Sequence, residues 1–475
     1  MAHRVAVIAY TWKAAAYAST PSHTGMTTTT FLKLGGYNVT HDSIPTDRNA
    51  ATERAKRLAG KYILFVDEVG CVGQKHLHLM EEAVRSVCKP NPAEDAGLSG
   101  YVAGQHWGTL GVVLMGDLDQ LDPVMASALH KVPTAKQVHA YQGYLVWHNM
   151  SLVFHLTEQH RYDLTTKGGQ ILHAMAKMWS SGRPAEPTYA TMKGFCMHLN
   201  SLAILPGELE QLLPENPKFI VQRNKVRMFL NQRMAIKRAN HINLRMMAWR
   251  AADTLMDNSL LTKEQEMVLM EIPPELTGNV GPMLMFFEGI EYIFADSEAQ
   301  DMGRYRNGTA IGRSIVLDPR EGPDPMDGPV WMLKYQPLAV YVEPAVDVGD
   351  YGNGMASMPR GCIPIEPKKV QNYHSKTAKP PTWSLLDGTT YEGFFFKRTG
   401  FPLAFGYAAT DYFMQGASVG DATWLLHLRP PDTGKLSRAS VLVCLTRFSD
   451  VKDIKLACPL WDPDASPKEI DDVSL

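Results

Sequence analysis

Lys61-Tyr-Ile-Leu-Phe-Val-Asp-Glu-Val-Gly70 is an apolar run that stops at two acids, Asp67 and Glu68. Five or so apolar residues ending at a carboxylate fit a parallel strand buried on both faces, whose C-terminal end opens into the ligand crevice of an α/β sheet. An Asp there can hold Mg²⁺, and an adjacent Glu can polarise a water for attack on a γ-phosphate. Taken alone, the pair also fits a strand that ends in acids at a solvent-exposed turn. The pattern recurs, however. Val112-Val-Leu-Met115 runs into Gly116-Asp-Leu-Asp-Gln-Leu-Asp-Pro123, where Gln120 on a glycine-permitted turn is placed to sense the same phosphate beside the metal.

Around these strands the pattern is that of alternating strands and helices, which predicts a parallel sheet. Val5 to Ala9 reads as a further strand, and Leu77, Met80, Val84 and Val87 fall on one face of a helix after the Asp-Glu strand. Residues 89–111, rich in Pro and Gly, read as a surface loop. The stretch 201–217, with Pro206, Pro214 and Pro217, reads as a linker, after which Phe219-Ile-Val-Gln222 opens a second sheet. From about Pro282 to Pro402 the chain turns strand-rich, with Trp331-Met-Leu-Lys334 and Ala339-Val-Tyr-Val342 as alternating strands. Residues 349–381 read as an exposed loop within it.

With 475 residues, a prior of roughly 150 per domain suggests about three domains. Hydrophobic content of 45% and charged content of 20% are ordinary for a globular chain. Cys71, Cys88, Cys196, Cys362, Cys444 and Cys458 are scattered, with no Cys-x-x-Cys and no zinc-ligand spacing, which points to free thiols in a reducing, intracellular compartment. No apolar stretch is long enough to span a membrane. The formal net charge of −2 gives no global signature of nucleic-acid binding. One segment is locally basic: residues 216–252 hold no Asp or Glu but carry Lys218, Arg223, Lys225, Arg227, Arg233, Lys237, Arg238, Arg245 and Arg250. Such a run fits a solvated helix face or a phosphate track.

The chain resembles superfamily 1B DNA helicases of the Pif and RecD-like type, especially those of Helitron-like elements and their fungal relatives. Besides the two acidic strand ends, the matching pieces stand in family order. They are Ala9-Tyr-Thr-Trp-Lys-Ala-Ala15, Leu156-Thr-Glu-Gln-His-Arg161, Gln222-Arg-Asn-Lys-Val226 with Asn231, Arg306-Asn-Gly-Thr309, Tyr407-Ala-Ala-Thr-Asp-Tyr-Phe-Met-Gln-Gly416 and Val443-Cys-Leu-Thr-Arg447. The resemblance implies an α/β fold of two recA-like motor domains with mostly parallel sheets and an SH3-like β insertion in the second. It places the first motor domain at 1–205, the second at 218–281 and 402–475, and the insertion at 282–401. It further implies ATP and Mg²⁺ as cofactors, DNA, preferentially single-stranded, as partner, and a nuclear setting in a eukaryote.

Roles follow from the matching positions. Asp67 would coordinate Mg²⁺, Glu68 would orient the attacking water and Gln120 would contact the γ-phosphate. Arg161 and Arg447 would close on that phosphate from the two sides of an interdomain cleft, stabilising transition-state charge. Gln415 and Gly416 would approach the nucleotide. Thr11, Lys13 and Thr410 would contact the DNA backbone, and Arg223, Lys225 and Arg227 would line the single-strand track.

Some family features are missing. The sequence contains no Gly-x-x-x-x-Gly-Lys-Ser/Thr, the loop whose N–H groups and Lys cradle the β- and γ-phosphates, and Gly434-Lys-Leu436 reads only as a loop. The first strand, that loop and its helix are expected to have been lost or omitted ahead of Ala9. Trp12 stands where the family has Gly, Asp122 where it has Pro, and Phe413 where it has a basic residue. Two expectations follow: an ATP-dependent 5′-to-3′ DNA helicase in incomplete or degenerate form, or a non-catalytic single-stranded-DNA-binding remnant of a mobile-element helicase.

Overall fold

The computed structural model describes residues 4–19, 25–34, 48–88, 106–123, 126–134, 137–180, 189–205, 207–272, 274–299, 302–345, 358–371, 383–384, 390–391, 393–415, 419, 422–428 and 438–460. Gly416, Gly434 to Leu436, and most of the predicted loops at 89–111 and 349–381 lie outside these residues. The chain divides into two units. The first comprises Met1–Thr191, Met414–Ser418 and Leu436–Lys452, and the second Met192–Phe413, Val419–Lys435 and Asp453–Leu475.

The first unit is built on a four-stranded, wholly parallel sheet. Its strands are β1 (Val5–Ala9), β2 (Met26–Thr27), β3 (Ile63–Asp67) and β4 (Gly111–Leu114), in the order β2-β1-β3-β4. The helices are α1 (Trp12–Tyr17), α2 (Thr28–Phe31), α3 (Arg48–Leu58), α4 (Gln74–Val87), α5 (Val138–His148) and α6 (Lys167–Ser180). One face of the sheet is fully packed. Leu64 and Val66 of β3 meet Leu77, Met80 and Val84 of α4, all fully buried in one cluster. Gly143 lets α5 approach α4 closely, because a Cβ there would strike the backbone carbonyl of Gln74. Apolar residues at three- and four-residue spacing make α4 amphipathic, and burial of that stripe rather than intrinsic propensity holds it.

The second unit contains another parallel sheet, ordered Ala408–Thr410, Lys218–Val221, Trp424–His427 and Lys455–Leu456. Beside it in the same unit is a five-stranded antiparallel sheet, ordered Ile363–Ile365, Ala339–Pro344, Thr309–Val316, Glu291–Phe294 and Leu403–Phe405. The strand Val330–Met332 pairs instead with Met246–Arg250, in parallel. A single hydrophobic cluster including Phe219, Val221, Met234, Trp249, Tyr292, Val340 and Tyr407 joins the two sheets. Buried Asn231 ties the helix Asn224–His241 to the parallel sheet. Its Oδ1 accepts from Tyr407 N (2.9 Å) and Ala408 N (2.7 Å), and its Nδ2 donates to Ala408 O (3.1 Å). No helix among the described residues is long and apolar enough to cross a membrane.

Candidate functional site

Strands β3 and β4 end side by side, and their following loops are interlocked. Met115 N donates to Val66 O at 2.8 Å, and Val69 N to Met115 O at 2.9 Å. A Cβ on Gly70 would strike the Asp117 carbonyl oxygen, and one on Gly116 would come within 2.7 Å of Val69 N. Both glycines are therefore required by close backbone approach. Asp67 accepts the Glu68 N–H on Oδ1 at 2.8 Å. Glu68 itself sits in the left-handed region, at φ 57° and ψ 41°. A non-glycine residue held there costs on the order of 1–3 kcal/mol, and such strain is characteristic of functional turns.

On the neighbouring loop, Asp117 accepts from Asp119 N at 2.9 Å and from Gln120 Nε2 at 3.1 Å. This bond orients the Gln120 amide, whose Oε1 is buried without a hydrogen-bond partner among the described residues. The nearby Asp122 is absorbed into a surface ion pair with Lys131 at 2.5 Å.

The two arginines come from segments far apart in sequence that meet in the same unit. Gln159 Oε1 accepts the backbone N–H groups of both Arg161 and Tyr162, the latter at 2.9 Å, shaping the turn that presents Arg161. Arg161 Nη1 donates to Thr446 O at 2.8 Å. Thr166 Oγ1 donates to Asp450 at 2.6 Å, and Asp163 N to Ser449 O at 3.1 Å, so residues 163–166 are stitched to 449–450. Arg447 is 3% exposed. Its guanidinium donates to Val443 O (2.9 Å), Met414 O (3.2 Å) and Thr446 Oγ1 (2.8 Å).

Electrostatics place these groups in one field. Burial, then the Asp67 charge, raises the Glu68 pKa above the usual carboxylate value, while Arg447 and Arg161 pull it back down. Burial, followed by repulsion from Arg161, pushes Arg447 down to about 10, with Glu68 opposing the shift. Glu68 thus feels the charges of both Arg161 and Arg447 as well as that of Asp67, a balance suited to an anionic ligand bound with a divalent cation.

Of the residues singled out in the sequence, Asp67, Glu68, Gln120, Arg161, Gln415 and Arg447 all fall in the first unit. Gln415 is 2% exposed, and its Nε2 is buried without a hydrogen-bond partner among the described residues. Its neighbour Met414 supplies a carbonyl to Arg447. Thr11 and Lys13 also belong to the first unit, whereas Arg223, Lys225, Arg227 and Thr410 belong to the second. Thr11 Oγ1 accepts Ala14 N at 3.2 Å at the start of α1. Thr410 Oγ1 accepts Phe413 N at 3.3 Å.

Four of the basic residues in the acid-free stretch have partners brought from elsewhere. Lys218 pairs with Glu291 at 2.5 Å, Lys237 with Glu210 and Arg245 with Asp324, while Arg238 donates to Leu213 O at 2.8 Å. Arg223 and Lys225 are exposed and make no ion pair among the described residues. The Arg227 Nε bonds Asn224 Oδ1 at 3.1 Å.

His76 is a residue that the sequence does not disclose. Its Nε2 lies 3.0 Å from Thr28 Oγ1, its ring meets Tyr10 edge-on at 5.4 Å, and burial drives its pKa down to about 4. A His at the start of a helix carries no sequence signal for such a contact. Gln159 is another residue that the motif alone passes over, although its spacing before Arg161 is the signal of a turn-holding side chain.

No group of three or more His, Cys, Asp or Glu side chains among the described residues could hold a metal by itself. Mg²⁺ does not require one, since it commonly takes one or two carboxylates plus substrate phosphates. Asp67 therefore fits the metal. A triphosphate fits only in part, because the acid and arginine groups are present but the glycine-rich Lys loop that cradles the β- and γ-phosphates is absent from the sequence.

No protein-family model matches the chain, and no curated protein matches it. Among solved structures, it is similar to the Pif1 helicase from Candida albicans, with 15% identity over 98% of this chain and 85% of that one and a TM-score of 0.54. It is also similar to a Pif1 helicase solved to explain DNA unwinding at forked double-stranded DNA, with 14% identity over 96% and 83% of the two chains and a TM-score of 0.50. At these identities the likeness establishes the fold alone: this chain has the mixed α/β, two-domain recA-like architecture of these Pif1 helicase structures.

Proposed function

We propose that this protein is a DNA-tracking motor of the Pif1 type, carrying the acid and arginine half of an ATP hydrolysis site and, as this sequence stands, lacking the phosphate cradle. The observation that carries the reading is the gathering of Asp67, Glu68, Gln120, Arg161 and Arg447 around the C-terminal ends of two parallel strands. In this reading Asp67 would hold Mg²⁺, Glu68 would orient the attacking water, Gln120 would contact the γ-phosphate, and the two arginines would stabilise its developing charge. Gln415 and Gly416 border the nucleotide. Arg223, Lys225 and Arg227 neutralise single-stranded DNA phosphates, and Thr11, Lys13 and Thr410 contact the DNA backbone, without reading sequence. Movement runs 5′ to 3′, and residues 282–401 form an SH3-like insertion in a second motor domain spanning 218–281 and 402–475.

With the cradle and its Lys missing, ATP binds weakly and turnover is negligible, which leaves single-strand binding as the retained activity. The test is DNA-stimulated phosphate release by the purified chain beside its Glu68→Gln variant. Equal, background-level release is expected. A clear excess in the parent would mean that another segment supplies the cradle.

A further inference from the structure

We infer that Lys225, Phe229 and Arg233 form a nucleobase-stacking subsite, in which an unpaired base lies on the Phe229 ring while the two cations hold the phosphates on either side of it. The inference rests on the single-strand reading above and names what that strand must offer, a free base face as well as a backbone.

The three residues belong to one helix of the second unit, Asn224–His241. Residues four apart fall on the same face of a helix, so together they make a stripe about 12 Å long at 1.5 Å per residue. All three are exposed, Phe229 at 58%. The packing is done by another face. Asn231, Met234, Ala235 and Ala239 are buried, with Val226 and Leu230 partly buried against the core of this unit. Phe229 therefore takes no part in docking the helix.

A single exposed Phe is ordinary on a protein surface; the neighbours of this one are not. The Arg233 guanidinium lies 5.4 Å from the centroid of the Phe229 ring, within cation–π range. That contact holds the ring in place, so stacking a base on it costs little further side-chain ordering.

Charge decides the occupant. Residues 216–252 contain no Asp or Glu. Away from the stripe the cations are consumed, Lys237 by Glu210, Arg245 by Asp324 and Arg238 by the Leu213 carbonyl. On the stripe, Lys225 and Arg233 make no ion pair among the described residues. An aromatic face between two unneutralised cations matches the alternation of base and phosphate along a single strand. A duplex stacks its bases on one another, and an acidic peptide brings charge but no flat face for the ring.

The test uses the full chain and a fluorescein-labelled single-stranded oligonucleotide of mixed bases, read by anisotropy over a salt series, beside a strand of equal length built of abasic units. Phe229→Leu keeps an apolar side chain without a π face. It should weaken binding of the intact strand at least about fivefold, the low end of what one stacked base contributes, and leave binding of the abasic strand and the salt slope unchanged, because no phosphate contact is lost. Phe229→Trp should bind the intact strand at least as tightly as the parent, and Arg233→Gln should lower the salt slope. If Phe229→Leu bound the intact strand like the parent, or weakened both strands equally, the stacking subsite would fall and the single-strand reading would stand. A poly-glutamate peptide whose binding fell as far on Phe229→Leu as that of the oligonucleotide would assign the stripe to an acidic protein partner instead. A parent chain that bound neither strand would overturn both.

Discussion

Arg447→Met separates a functional arginine from a structural one. The folded state holds the Arg447 pKa at about 10 against an ordinary 12.5, and a depression of that size corresponds to roughly 3 kcal/mol against the charged form. For a depressed pKa the stabilising contribution exists only above the unfolded value and is gone below the folded one, so at pH 7 the full penalty is present. Against it stand hydrogen bonds that include those to Val443 O, Met414 O and Thr446 Oγ1, each worth about 1 kcal/mol net. The two sums nearly cancel, so the variant should shift the unfolding free energy by less than ~1.5 kcal/mol in either direction. Arg398 is the comparison. It is fully buried and makes a two-point ion pair with Asp253 at 2.8 Å on both arms, plus a bond to Leu269 O at 2.8 Å. Arg398→Met leaves the partly buried Asp253 carboxylate without its partner and should cost roughly 3 kcal/mol. Urea unfolding followed by tryptophan fluorescence reads both, with Trp107 buried in the first unit and Trp249 in the second. Loss of about 3 kcal/mol or more from Arg447→Met would make that arginine a structural staple and refute its assignment to the ligand.

Three further outcomes are expected. The His76 pKa, lowered to about 4 by burial, gives stability that is complete above pH 6.5 and is lost as pH falls through 4; His76→Gln should flatten that slope, worth up to about 3 kcal/mol less solvent screening, in melts taken across the range. Burial raises Asp411 from 3.8 to about 6, so its contribution is present below pH 3.8 and lost as pH rises through 6; Asp411→Asn should therefore stabilise the chain by about 3 kcal/mol at pH 8 and by nothing near pH 4, and a constant difference would contradict the assignment. Replacing Arg223, Lys225 and Arg227 together with Ala should weaken binding of a labelled oligo-dT and lower the slope of log affinity against log salt by roughly one for each phosphate no longer neutralised; equal binding at low salt would return this helix to an ordinary solvated surface.

Of the four strands of the first unit, β3 and β4 were legible because each carries a continuous apolar run into a carboxylate, but the expected burial on both faces is not met: Ile63, Val113 and Met115 are 38%, 40% and 37% exposed. The same runs placed Asp67 at the end of β3 and Gln120 in the loop after β4. The Arg161 and Arg447 pairing could be read only through motif resemblance, since the bond that joins their segments, Arg161 to Thr446 O, spans most of the chain. The basic stretch shows what local charge conceals. Lys218, Lys237 and Arg245 are consumed by Glu291, Glu210 and Asp324, acids invisible to any window along the sequence. Exposure was equally hidden: Leu152, Val153, Phe154 and Leu156 are apolar yet 72%, 75%, 82% and 98% exposed.

The central claim is that Asp67, Glu68, Arg161 and Arg447 are the working half of an ATP site. It is tested most directly by fusing a Val/Ile strand, a Gly-x-x-x-x-Gly-Lys-Thr loop and an amphipathic helix ahead of Met1, then measuring DNA-stimulated phosphate release. The fusion should release phosphate at least tenfold faster than the parent chain, and its Glu68→Gln and Arg447→Met versions should fall back to background. A fusion that binds ATP yet hydrolyses it at the same rate with Glu68→Gln would contradict the account.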